Sequence, residues 1–269
     1  MKRLNLFLKG NIDLHDSLQA CRIGGIVRWN GINECLRATH PGILARVKHE
    51  TYSRSDALCV CTGDIPDFLA QRQLELGAYS LSTQFSDALF TADADAFILS
   101  IQGDVTASLY KHTLSGTLLY PSEAETWSQE DRAWLKRDFT RLGLISVEAF
   151  MISFRRVIDR IQAHSTAPIV VFNLSSVIPG DHTHCYIGLD ETYVNRIRRF
   201  NLALVELSQE TGISIVDVDA ILARAGADKL KIDAVHLEPE AYPLLAQETI
   251  RVLEDLGVFD VAIPMKAEG

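Results

Sequence analysis

Apolar and polar residues recur along this chain with two periods that take turns. Residues 4–8 form a short apolar run closed by Lys9-Gly10, and residues 43–51 alternate apolar with polar. Residues 95–101, 168–172 and 213–217 are almost continuously apolar. Alternation marks a strand with one face buried, and a short unbroken apolar run marks a strand covered on both faces. Between these runs the period lengthens to that of a helix. Residues 30–38 and 55–74 read as helices, the second interrupted near Gly63 and Pro66. Residues 189–208 carry an apolar stripe through Tyr193, Ile197, Phe200, Leu204 and Leu207. Ser128 ahead of Glu130-Asp131 and Ser146 ahead of a periodic run to Ile161 are helix-start signals. Residues 108–121 read as a hairpin turning at Ser115-Gly116, and a last helix runs to about Leu256.

Strands separated by helices of this length predict an α/β fold, a three-layer α/β/α sandwich around a mainly parallel sheet. No internal repeat, low-complexity tract or linker interrupts the pattern, so residues 1–269 read as a single domain.

Composition narrows the function. The chain has a formal charge of −9 and a sequence pI of about 5.4, which leaves no basic footprint for nucleic acid. The apolar run behind Met1-Lys2-Arg3 is broken by Lys9 and Asn11, too early for a signal peptide. No window is long and apolar enough to span a membrane. Five cysteines at 21, 35, 59, 61 and 185 show no framework spacing and predict reduced thiols in a cytoplasmic protein. Cys59-Val60-Cys61 has metal-ligand chemistry but no second pair, so core packing is the simpler reading. Asp181-His182-Thr183-His184-Cys185, behind Pro179-Gly180, reads as a polar turn. Arg22, Arg28, Trp29, Asn30 and Asn33 would line a cleft or form an amphipathic face, and Arg196, Arg198 and Arg199 a solvated helix side. No cofactor and no metal site is expected, and the expected partner is a small-molecule substrate.

The densest chemistry lies near the end, in Asp233-Ala234-Val235-His236 ahead of the last helix. A carboxylate three residues before a histidine on a loop can fix the tautomer of an imidazole that takes and returns a proton. In an open parallel sheet such residues collect beyond the carboxyl ends of the strands. Three further loops there carry polar side chains: 10–17, 77–80 and 102–104.

The order and spacing of these loops resemble the SGNH (GDSL-type) hydrolase superfamily. Asp233-Ala234-Val235-His236-Leu237-Glu238-Pro239-Glu240-Ala241-Tyr242 is similar to that family's final block, residues 200–217 to its penultimate helix and strand, and residues 94–104 to its third block. Residues 108–163 look like an insertion. The resemblance implies the three-layer fold, a nucleophilic serine after the first strand, and an acyl-enzyme formed on a small acylated substrate. In this sequence it implies Ser17 as nucleophile, deprotonated by His236, which Asp233 orients. Asn11, Ser80, Gly103 and Asp104 stand at the oxyanion and substrate-binding positions.

The first block departs from the family pattern. The residues directly after the strand are Gly10-Asn11-Ile12, which offer no hydroxyl at the third place, and the nearest Asp-Ser-Leu is Asp16-Ser17-Leu18. Ser17 is therefore either the nucleophile or a residue of the following helix, with Ile12 in the nucleophile's place. In the third block Asp104 stands where an Asn is expected, and an ionised carboxylate cannot donate to an oxyanion. Gln102 or a backbone N–H is left for that role. The expectation is an SGNH-like serine ester hydrolase or acyltransferase. Two alternatives remain open: a metal or acid–base site built from Asp13, His15, Asp104 and His236, and a binding protein that has lost turnover.

Overall fold

Leu4, Leu6 and Leu8 project from one face of the first strand and Phe7 from the other, into separate apolar clusters. A computed structural model gives the structure and describes residues 2–23, 26–178 and 191–260. Five strands, β1 (Lys2–Lys9), β2 (Ile43–Glu50), β3 (Ala96–Ser100), β4 (Ile169–Phe172) and β5 (Ser214–Val216), form one sheet in the order β5-β4-β3-β1-β2. Every pair is parallel, with Lys9 opposite Glu50 on one side of β1 and Leu99 on the other.

Helices cover both faces. The main ones are α1 (Ile12–Leu18), α2 (Ile32–Thr39), α3 (Val147–Gln162), α4 (Tyr193–Thr211) and α5 (Tyr242–Asp255). Leu14, Leu36 and Leu253 of α1, α2 and α5 join the Leu4-Leu6-Leu8 layer. Phe150 and Phe154 of α3 and Phe200 and Leu204 of α4 join the Phe7 layer, where Phe150 and Phe200 pack at 4.9 Å between ring centroids. Ser128 and Ser146 cap their helices as the sequence predicts, accepting from the N–H groups of Asp131 and Ala149. Gly212 ends α4 with φ at +74°, a conformation that suits glycine.

Two predicted segments differ. Residues 55–74 break at Gly63, with φ at +87°, and at Pro66 as expected, but less of the segment than expected is helical, only Ser55–Cys59 and Asp67–Ala70. The expected insertion at 108–163 divides in two. Leu109–His112, Leu118–Leu119 and Phe139–Gly143 form a small antiparallel sheet that shares an apolar cluster with Trp127 and Trp134. The remainder, α3, belongs to the layer packed on the central sheet.

Candidate active site

The strand order reverses between β1 and β3, and a crevice opens there beyond the carboxyl ends of the strands, where open α/β sheets bind ligands. It is a cavity of about 960 Å³. Its reactive side chains come from α1 (His15 and Asp16), from β2 (His49) and from the loop of Asp233 and His236.

Helix periodicity decides what α1 contributes. Ile12, His15 and Asp16, at spacings of three and four, line the cavity, while Asp13, Leu14, Ser17 and Leu18 face the interior. Ile12 directly follows the Gly10-Asn11 turn and occupies the position the resemblance gives to a nucleophile. Ser17 lies one turn further and is fully buried; its hydroxyl donates to the Asp13 carbonyl within the helix. The expected meeting of Ser17 with His236 is thus not formed, because a helix beginning at Ile12 turns residue 17 toward the core.

Asp233 and His236 do come together. His236 Nδ1 lies 2.7 Å from Asp233 Oδ2. The other carboxylate oxygen accepts from the backbone N–H groups of Val235 at 2.9 Å and His236 at 2.8 Å. Partial burial opposes ionisation, yet those N–H groups and the imidazole hold the Asp233 carboxyl below its ordinary range. With Nδ1 engaged, Nε2 is the nitrogen available to a reacting group. The loop closes through a bridge between Lys231 and Leu237. The buried Lys231 ammonium donates to the carbonyls of Ser175 and Ala234.

The other predicted site residues separate. Asn11 lines the cavity, its carboxamide against the Tyr52 backbone. Ser80 instead caps the short helix Leu81–Gln84, accepting from the Thr83 N–H. Gly103 is interior: a Cβ there would run into the Ser53 carbonyl, so its role is close backbone approach. Asp104 is fully buried, accepting from Ser55 N–H (2.8 Å), Ser55 Oγ (2.6 Å) and Tyr52 Oη (2.6 Å). Burial pushes its carboxyl up to about 6 against the pull of those bonds. Asp13, likewise interior, accepts from Ser100 Oγ, and burial raises its pKa. The alternative set of Asp13, His15, Asp104 and His236 therefore does not converge, and no group of three or more metal-capable side chains assembles among the described residues.

Gln102, which the sequence leaves as a candidate for the oxyanion role, does stand at the site, whereas Arg196 stands where the sequence reading did not put it. Gln102 lines the cavity, only 5% exposed, and its carboxamide oxygen has no partner. Arg196, expected on a solvated side, is buried: it donates to the carbonyls of Asp104, Val105 and Ile145 and stacks over Phe200. Its spacing from Tyr193 and Phe200, three and four residues, was the available signal, since it puts Arg196 on the apolar stripe. Asn33 also has a structural role, pairing with both backbone groups of Ala45 on the edge strand β2. The Cys59 and Cys61 thiols donate to the carbonyls of Ser153 and Gln84. The 181–185 turn lies outside the described residues.

The chain has the three-layer α/β/α fold of the SGNH (GDSL-type) hydrolase superfamily. Among solved structures it is similar to Axe2, an acetylxylan esterase from Geobacillus stearothermophilus, at 13% identity and a TM-score of 0.51 over 92% of this chain and 93% of that one. It is also similar to LAE5, an alpha/beta hydrolase enzyme from the metagenome of Lake Arreo, Spain, at 12% identity and a TM-score of 0.51 over 96% and 97%. No protein-family model matches the chain, and no curated protein matches it in sequence. No helix among the described residues is long and apolar enough to cross a membrane.

Proposed function

We propose that the protein is a hydrolase of small acyl esters in which the Asp233–His236 pair activates water directly, without a serine nucleophile. One observation carries this reading: an oriented imidazole borders the same cavity as Ile12, whose alkyl side chain stands where a nucleophile is expected. An alkyl group has no proton to give and no lone pair to attack with. The His236 side chain is 48% exposed, open to water.

In the reaction, His236 Nε2 takes a proton from water as the oxygen bonds to the acyl carbon. Asp233 stabilises the imidazolium that results. The Gln102 carboxamide, at the cavity wall, would supply an N–H to the oxyanion. Tyr79, Tyr120 and Tyr193 border the cavity and suit the flatter face of a sugar ring, and Axe2 is by name an acetylxylan esterase. Acetylated saccharides are therefore the first substrates to try. The free thiols of Cys21, Cys35, Cys59 and Cys61 fit a reducing, cytoplasmic setting.

The test is turnover of p-nitrophenyl acetate and acetylated xylose, alongside a fluorophosphonate probe. The expected result is hydrolysis without a burst and without covalent labelling, with His236→Ala lowering turnover ~100-fold or more. Labelling at any serine, or undiminished turnover by His236→Ala, overturns the reading. A wild-type protein inert toward every acyl ester but binding acetylated sugars would mark it as a binding protein.

A further inference from the structure

Two imidazoles border the cavity with a carboxylate behind each. His236 has Asp233 at its Nδ1. His15 is held the same way, its Nδ1 2.8 Å from Asp16 Oδ1. The Tyr242 hydroxyl lies 3.3 Å from the second oxygen of Asp16 and as far from the Leu237 carbonyl, shares its proton between them, and so ties α5 to the carboxylate that orients an imidazole on α1. Asp16, Val235 and Tyr242 also share a small recess, which brings α1 against the Asp233–His236 loop. In both histidines the engaged Nδ1 leaves Nε2 to meet a ligand.

The groups around His15 favour its charged form. Asp16 holds its pKa above the ordinary histidine range, outweighing partial burial. His49, edge-on at 5.4 Å, has its Nε2 against the Gly10 carbonyl; burial and the neighbouring His15 push it down to about 4. Glu50, also at the cavity, is already paired with Lys9 and Lys48. Asp233 and His236, with the hydroxyls of Tyr79, Tyr120 and Tyr193, are the other titratable groups lining the cavity. His15 is thus poised to donate a proton from Nε2 into the same cavity that the Nε2 of His236 borders, a placement that suits paired acid and base roles.

We propose that His15, oriented by Asp16 and Tyr242, is a second catalytic group that protonates the leaving alcohol while His236 takes the proton from water. The proposal rests on the hydrolase reading above. Water gives its hydroxyl to the acyl carbon and its proton to His236 Nε2. As the tetrahedral centre collapses, the bond to the alcohol oxygen breaks, and that oxygen takes the proton from His15 Nε2. Solvent then returns a proton to His15 and removes one from His236. A single imidazole would have to serve both sides of the tetrahedral centre in turn, whereas two imidazoles serve them together.

Leaving-group dependence tests this. Nitrophenolate departs without a proton, but a sugar hydroxyl needs one. His15→Gln is expected to lower turnover of xylose tetraacetate by ~100-fold while leaving p-nitrophenyl acetate within a few-fold of wild type. The alkaline limb of the pH profile should vanish for the sugar ester alone, and Asp16→Asn should shift both readouts the same way. Equal losses on the two esters, or none on either, overturn the role of His15. His236→Ala must suppress both esters; if it spares both, or if the wild type hydrolyses neither, the hydrolase reading itself fails.

Discussion

The ammonium of Lys231 donates a hydrogen bond to the carbonyl of Ala234 at 3.3 Å, bracing from within the loop that carries Asp233 and His236. Burial brings this lysine down to about 8 from an ordinary value of 10.5. Between those values the unfolded chain holds a proton that the folded one has released, so stability owed to this group rises with pH. Wild type is therefore expected to gain on Lys231→Met between pH 7.5 and 10, by on the order of 2–3 kcal/mol. Urea unfolding of both proteins at the two pH values measures the gain. A flat difference would put the ammonium in solvent.

Ser17 and Ile12 exchange the roles that sequence spacing suggests. Ser17→Ala removes one bond inside α1 and should leave turnover near wild type, at a stability cost of about 1 kcal/mol or less. Ile12→Ser puts a hydroxyl on the face of α1 that borders the cavity, and should gain fluorophosphonate labelling that the wild type lacks. Mass spectrometry after probe treatment reads both results.

Asp104 links acid pH to stability with the opposite sign from a carboxylate in an ion pair. Its carboxyl titrates at about 6 when folded, against an ordinary 3.8. The folded protein holds a proton that the unfolded chain has lost between those values. The contribution is full below about pH 4 and fades as pH rises through 6. The advantage of wild type over Asp104→Asn should accordingly shrink from pH 4 to pH 6.5, by about 2–3 kcal/mol. An advantage that grows with pH over this range, followed by denaturant titration, would contradict the burial.

Arg196→Met should destabilise the protein by about 3–5 kcal/mol, since three buried carbonyls lose a charged donor together. Arg196→Lys should recover less than half, because one compact ammonium cannot span carbonyls on two separate segments. Equal stability of the lysine variant and wild type in urea would show that charge alone is needed.

Four of the five central strands were legible as short apolar runs bounded by polar residues, a signal that burial in a parallel sheet imposes directly, and the edge strand β2 was legible by its alternation. Asp233 and His236 were legible for a local reason too: their hydrogen bonds span three residues. Ser17 depended on something longer in range, the residue at which α1 begins, and the helical phase from Ile12 sets it facing inward. Residues 55–74 carry helical spacing, yet the turn at Gly63 and the break at Pro66 prevail over it. Gln102 was legible as a candidate for the oxyanion role, but its carboxamide oxygen left without a protein partner is something only the assembled chain reveals.

Tyr120 reaches the cavity from the small antiparallel module, whose apolar cluster around Trp127 and Trp134 is separate from both layers of the central sheet. Gln84 ties the two together, donating to the carbonyls of Tyr79 and Tyr120 and accepting from the Tyr120 N–H. Selection can therefore reshape this wall by altering a part of the chain that carries neither histidine–aspartate pair. A protein organised in this way can drift in what it admits while what it does to its guest stays fixed.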